Sequence, residues 1–350
     1  MENRTISADF AVSPQITPED VAKARELGFR AIICNRPDGE GADQPSFGEI
    51  EAAAQAAGMQ ARHVPVTGGM VSDTDVTAFA EALQALPGPV LAYCRTGTRS
   101  ATLWSLAKAG SRPLPEILGA TKAAGYDMEG VARRIANGGK TPTDKADASF
   151  DIVIVGAGAA GIAVAASLLS RGPGLEIAII DPADVHYYQP GWTMVGAGVF
   201  EPQETARTMA SLIPKGVHWI KSAVAAFEPK SNAVILDGCR VVGYKRLVVA
   251  PGLKLDWGKV EGLVDTLGRN GVTSNYRYDL APYTWELVKG LKSGRAIFTQ
   301  PPMPIKCAGA PQKAMYLSGD AWFRNGALKN IDIQFMNAGG VLFGVKEYVP

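Results

Sequence analysis

Two cysteines in this chain sit in settings that could do chemistry. The first is Cys94, within Cys94-Arg95-Thr96-Gly97-Thr98-Arg99. A short apolar strand, Val90 to Tyr93, precedes it, and an amphipathic helix, Ala101 to Ala109, opens behind it. A thiol in that position meets free backbone N–H groups and the positive end of a helix dipole. Both favour a thiolate and any anion bonded to it. Arg99 closes the loop with a permanent charge and forked donors, and Arg95 adds a second cation. The loop is built to hold negative charge on sulfur, and either a phosphate or a sulfane sulfur would answer it. The second cysteine is Cys307, in Lys306-Cys307-Ala308-Gly309-Ala310-Pro311-Gln312-Lys313. Lys306 beside it favours the thiolate by charge proximity.

A third feature binds rather than reacts. Asp151 to Val155 reads as a buried strand. It runs into Gly156-Ala157-Gly158-Ala159-Ala160-Gly161 and then a helix to about Ser170. Gly156 permits the tight turn, Gly158 lets backbone approach a pyrophosphate, and Gly161 lets the helix pack on the strand. A second strand, Glu176 to Ile180, ends at Asp181, 20 residues after Gly161, where a carboxylate accepts from ribose hydroxyls. The arrangement points to dinucleotide binding, and Tyr244 to Gly252 suits a strand returning to that site. By contrast, the strand Arg295 to Thr299 leads into Gln300-Pro301-Pro302-Met303-Pro304, a stiff turn poor in N–H donors that cannot cradle a pyrophosphate.

A phosphatase at Cys94 would need a general acid, normally an aspartate on a neighbouring loop. The loop after the strand Arg62 to Val66 reads Thr67-Gly68-Gly69 and has none. Asp73 and Asp75 read as part of a helix N-cap, and Asp38 as a turn residue. Sulfur transfer needs no such acid, because its departing group is already a stable anion.

These residues need elements to position them. Thr17-Pro18, the Ser46/Glu49 capping box, and Gly28 and Gly58 at helix ends delimit helices that alternate with the strands Ala31 to Cys34, Gln60 to Val66 and Val90 to Tyr93. That alternation predicts a parallel α/β sheet with Cys94 at the carboxyl end of a strand, where such sheets carry their sites. Cys34 also ends a strand and reads as buried, and Cys239 as a bystander in a turn. Four domains or segments follow: 1–136, a polar linker at 137–149, a nucleotide-binding domain at 150–290, and part of a second nucleotide fold at 291–350 carrying Cys307. The chain has 350 residues, a net charge of +1 and about half apolar residues, which gives no global argument for nucleic acid as partner. Its four scattered cysteines form no disulfide framework and no metal site. With no signal-like or membrane-length apolar run, a reducing cytoplasm is the expected location.

The loop Cys94, Arg95, Gly97, Arg99 resembles the rhodanese active loop position by position. The protein tyrosine phosphatase signature has one more residue between cysteine and arginine. Together with AIICNRPDGE and ARHVPVTGG, the loop resembles a bacterial phosphatase-like domain that is fused in some bacteria to a beta-lactamase-like sulfur dioxygenase. From Phe150 onward the chain resembles sulfide:quinone oxidoreductase, most clearly in AIFTQPPMPIKCAGAPQKAMYLS and also in DVHYYQPGWTMVGAG and SNYRYD. This likeness implies a three-layer α/β domain of tyrosine-phosphatase/rhodanese-like type, followed by a two-Rossmann-domain flavoprotein, here incomplete. It implies FAD at Gly156, Gly158, Ala159, Ala160, Gly161, Asp181 and Gly252, a persulfide at Cys307, quinone as electron acceptor, and Cys94 passing sulfur to a small thiol or sulfite. The family exchanges two redox cysteines, and no second one follows Cys307. The chain is therefore expected to be a fragment, with any peripheral contact to the inner membrane lying beyond Pro350. Two other readings stay open: a Cys94 phosphatase fused to an oxidoreductase, and a thiol redox sensor.

Overall fold

The computed structural model describes all residues except 43, 143–145, 303, 343–346 and 348–350. The N-terminal part runs β1 (Arg4–Ser7), β2 (Phe10–Ser13), α1 (Pro18–Glu26), β3 (Ala31–Cys34), α2 (Phe47–Ala56), β4 (Gln60–His63), α3 (Asp73–Ala85), β5 (Val90–Tyr93), α4 (Thr98–Ala107), α5 (Leu114–Ala123) and α6 (Ala132–Ala136). Its sheet has the order β1-β2-β5-β3-β4, parallel throughout except for β1. The central strands are buried on both faces, so their residues alternate between two cores. Phe10, Val12, Ile33 and Ala92 face Phe79, Leu103 and Trp104 from α3 and α4. Ala11, Ile32, Leu91 and Tyr93 face Val21, Ala24 and Ile50 from α1 and α2. This is the three-layer α/β arrangement expected. Capping boxes at Ser46/Glu49 and Ser72/Asp75 start α2 and α3.

The chain continues with β6 (Ala148–Val155), α7 (Ala159–Arg171), β7 (Ile177–Ile180), β8 (Val185–Tyr187), α8 (Trp192–Val195), β9 (Ala206–Thr208), α9 (Met209–Leu212), β10 (Val217–Ile220), β11 (Val224–Glu228), β12 (Ala233–Leu236) and β13 (Val241–Val249). It closes with α10 (Leu263–Thr266), α11 (Ala281–Gly290), β14 (Gly294–Gln300), α12 (Ala310–Arg324) and β15 (Ile331–Asn337). A six-stranded sheet is ordered β10-β7-β6-β13-β12-β11. β10, β7 and β6 are parallel, and β11 to β13 form an antiparallel meander.

The described residues form two compact units. One comprises 1–155, 172–182 and 217–248 and holds both large sheets; the other comprises 156–171, 183–216 and 249–350. In the first unit the meander does more than extend a sheet. Ala226, Ala233, Ile235 and Val241 share one apolar core with Ala132 and Ile135 of α6, and Arg133 pairs with Glu228 at 3.1 Å. Part of the polar stretch 137–149 is fastened as well. The Thr141 N–H and hydroxyl both donate to Asp73, Arg134 pairs with the same carboxylate at 2.8 Å, and β6 begins at Ala148. In the second unit β14 and β15 run parallel in register Gly294↔Ile331 to Gln300↔Asn337. Trp322 of α12 packs beneath them and donates from its indole N–H to the Val288 carbonyl.

Candidate functional site

Cys94 follows β5, and its thiol lies at the floor of the loop with only 1% of the residue exposed. The Gly97 N–H donates to Cys94 Sγ at 3.2 Å. That geometry needs the left-handed backbone of Gly97 (φ +85°), which also serves as N-cap of α4. The helix starts at Thr98, three residues before the expected position, so Arg99 belongs to its first turn. Behind the loop, Tyr126 donates from its hydroxyl to the Thr96 carbonyl at 3.3 Å. Arg95 is exposed, and Cys34 is buried and free, as Cys94 is. Burial pushes the Cys34 thiol up from its ordinary range, and its S–H donates to the Arg36 carbonyl.

Arg99 does not stand alone. Its Nη1 donates to the Asn35 carbonyl at 3.1 Å and its Nη2 to Glu40 Oε1 at 2.8 Å. The other oxygen of Glu40 accepts from Arg36 Nε at 2.8 Å, and Arg36 Nη1 donates to Gln15 Oε1 at 2.9 Å. Burial alone would raise the Glu40 carboxyl. The hydrogen bonds and charges of Arg99 and Arg36 outweigh it and hold the group below its ordinary range. Glu40 was missed by the sequence reading. Its signal, a carboxylate in a glycine-flanked loop after a parallel strand, looks like a solvated turn until the fold lays it on Arg99. Across from it Gly68 approaches Arg99 so closely that a Cβ there would sit 3.0 Å from Nη2. The Thr67-Gly68-Gly69 loop thus adjoins the site and presents no acid.

In the second unit Cys307 lines a cavity of about 630 Å³, with Thr193, Asn275, Tyr276, Ile297 and Lys313 among its walls. The cysteine is exposed and has a positive φ of 62°, a conformation that costs an ordinary residue energy and persists only where neighbours enforce it. Tyr276 is one such neighbour. Its hydroxyl donates to the Lys306 carbonyl and lies 3.4 Å from that of Cys307, while the Lys306 ammonium sits 5.9 Å from the centre of its ring. The Cys307 carbonyl accepts from the Ala310 N–H at the start of α12.

Gly156 takes φ +98°, and a Cβ there would run into the Ala250 carbonyl group, with the carbonyl carbon 2.7 Å away. Gly158 faces open space, Ala159 and Ala160 are exposed at the start of α7, and Gly161 is buried against the fold. Gly252 (φ +76°) is likewise open. The exposed N-terminal end of a 13-residue helix, behind a glycine that no side chain crowds, fits a pyrophosphate. Asp181 follows β7, with its N–H on the Ile220 carbonyl and its own carbonyl accepting from Trp219 Nε1. His186 Nδ1 lies 3.3 Å from the Ala157 carbonyl, a structural partner. Tyr187, Trp192 and Tyr278 form an aromatic cluster with centroids 4.6 to 6.4 Å apart.

Comparison with known proteins matches two separate parts of the chain. Residues 2–111 match the phosphatase-like domain of beta-lactamase hydrolase-like protein, and residues 150–284 match pyridine nucleotide-disulphide oxidoreductase. The chain joins these two kinds of domain. Its oxidoreductase half is 43% identical over 199 residues to the mitochondrial sulfide:quinone oxidoreductase of Dictyostelium discoideum, covering 56% of this chain and 44% of that protein. The phosphatase-like half is 38% identical over 130 residues to the beta-lactamase hydrolase-like protein of Agrobacterium fabrum, covering 37% of this chain and 30% of that one. A crystal structure of a candidate phosphatase from Neisseria meningitidis is 37% identical over 39% of this chain and 96% of its own, with a TM-score of 0.36. The chain therefore spans less than half the length of these two protein relatives. The oxidoreductase families concerned are flavoproteins that use FAD, and the glycine turn fits that cofactor. Among the described residues no helix is long and apolar enough to cross a membrane, and no cluster suits a metal ion.

Proposed function

We propose that the chain works in sulfide oxidation. Its oxidoreductase half generates sulfane sulfur at Cys307 at the expense of a quinone, and its phosphatase-like half carries that sulfur at Cys94 to a small thiol or sulfite. FAD, held by Gly156, Gly158, Ala159, Ala160, Gly161 and Gly252, would supply the two-electron chemistry. Cys307 presents its sulfur at the wall of an open cavity, where a species as small as sulfide has access. The Cys94 step is a balanced exchange. The Cys94 thiolate attacks the outer sulfur of a persulfide R–S–SH, the new S–S bond forms at Cys94, and R–S⁻ leaves. Sulfite then takes the outer sulfur as thiosulfate and returns the Cys94 thiol. The Gly97 N–H supports the charge on the Cys94 sulfur in both halves of the exchange.

The observation that carries the sulfur reading over phosphate is the state of the carboxylate that, among the described residues, is bound to Arg99. A phosphatase needs a protonated acid for its leaving group. Glu40 is held ionised by two arginines, and Gly68 fills the place on the facing loop. The test is to treat the whole protein with thiosulfate or glutathione persulfide and map persulfides by mass spectrometry, then measure thiocyanate formed from cyanide. A persulfide at Cys94, with thiocyanate formation abolished in Cys94→Ser, is the expected result. Turnover of p-nitrophenyl phosphate that depends on Cys94 and Arg99 would overturn it. A sulfenic acid or a Cys34–Cys94 disulfide formed in place of the persulfide would favour a redox sensor.

A further inference from the structure

The Arg36–Glu40–Arg99 cluster is more elaborate than a charged loop needs in order to hold its arginine. Arg99 is largely shielded, with 11% of its side chain exposed, and Arg36 is similar at 10%. Glu40 spans the two with one oxygen on each, and Asn35 takes a further Arg99 donor with its carbonyl. The end of the Arg99 guanidinium, the fork that would grip two oxygens of a tetrahedral anion, is thus already answered from within the protein. Glu40 also offsets one of the two positive charges it binds. A persulfide on Cys94 has one negative charge and one terminal atom, so it needs little more than loop amides. A phosphate dianion would have to share Arg99 with a fixed carboxylate a hydrogen bond away.

From this we propose that Glu40 determines specificity: it is an internal carboxylate that competes for Arg99 and so tunes the Cys94 loop against dianionic tetrahedral anions. The inference deepens the sulfur-transfer reading of Cys94, yet it concerns what the loop rejects and is measured separately. Two substitutions have opposite signs. Glu40→Gln keeps an amide oxygen to accept from Arg99 while removing the charge, so anion affinity rises. Arg36→Gln removes a cation and leaves Glu40 less neutralised, so anion affinity falls. A contact that merely held the loop together would give a loss, or no change, in both.

The experiment is isothermal titration calorimetry of inorganic phosphate into the full chain. Only binding that disappears in Arg99→Met is assigned to the loop, which separates it from phosphate taken up by the glycine turn of residues 156–161. One unit charge at about 4 Å corresponds to about a fivefold change under full water screening and to far more in a shielded site, so about tenfold is a conservative expectation. We expect Arg99-dependent affinity to rise about tenfold or more in Glu40→Gln and to fall in Arg36→Gln. Unchanged or weaker binding in Glu40→Gln overturns the proposal. If that variant does not fold, Glu40→Ala, which removes the same charge, takes its place, and unchanged or weaker Arg99-dependent binding there overturns the proposal. Persulfide mapping of the unsubstituted protein reports on Cys94 sulfur transfer independently, so failure of either reading is seen without the other.

Discussion

Alanine at Gly97 would test whether the Cys94 loop is held together as described. Gly97 has φ +85°, caps α4 and donates to the cysteine sulfur. A left-handed backbone costs an L-residue about 1–2 kcal/mol. The added methyl would also land on Tyr126: its hydroxyl is the nearest atom, and Cζ lies 2.9 Å away. The ring cannot simply turn aside, because it is 6% exposed, its hydroxyl is bonded to Thr96 and the Arg4 guanidinium sits 5.4 Å from its centre. Overpacking of this sort adds about 1–3 kcal/mol. Gly97→Ala should therefore destabilise the loop and α4 by about 2–5 kcal/mol. Whole-chain unfolding need not be two-state, so native-state hydrogen exchange at the amides of α4 and β5 is the suitable measurement. In a Tyr126→Phe background the worst contact is gone, and the same substitution should cost at least about 1 kcal/mol less. A cost below about 0.5 kcal/mol, or the same cost in both backgrounds, would refute the reasoning.

Three other outcomes are expected. Gly156→Ala drives a methyl into the Ala250 carbonyl group and should yield protein without flavin absorbance; full cofactor content would contradict the fit of the glycine turn. With a bulky thiol reagent, Cys307 should react before Cys239, while Cys34 waits for unfolding, each followed by peptide mapping. Glu40 has a depressed folded value, so its contribution to stability is full above its ordinary value of 4.5 and is lost as pH falls through the lower folded value. Glu40→Gln should therefore be less stable than the parent at neutral pH, and thermal melts of the two should converge in strong acid; a gap that persists there would show that the pairing is not electrostatic.

Much of the N-terminal fold could be read from local signals because its helices begin with explicit chemistry. Ser46 and Glu49 close a capping box, Pro18 opens α1, and the apolar runs at 31–34 and 90–93 are too short to be anything but buried strands. The four-residue strands β1 and β2 were not legible. Phe10 to Ser13 are fully buried only because β5 lies alongside, a long-range pairing with no local mark. The glycine turn and both cysteines were visible, since their function depends on neighbours in sequence. Glu40 and Tyr126 were not, because each acts on the loop from 30 or more residues away. The same holds for Tyr276, whose hydroxyl reaches a carbonyl 30 residues on. Hydrogen bonds of that span exist only after the chain has folded.

The core that α6 shares with the meander bears on how the protein is made. Ala132 and Ile135 leave the ribosome roughly 100 residues before Val241, the last of their partners. At about 5–20 residues per second, that apolar surface waits on the order of 5–20 s for its cover. During that interval the N-terminal sheet is complete in sequence but one wall short. A nascent chain stalled after Ala136 should hold a chaperone longer than one stalled after Val249. Release of the chaperone would then mark the moment at which the meander covers α6.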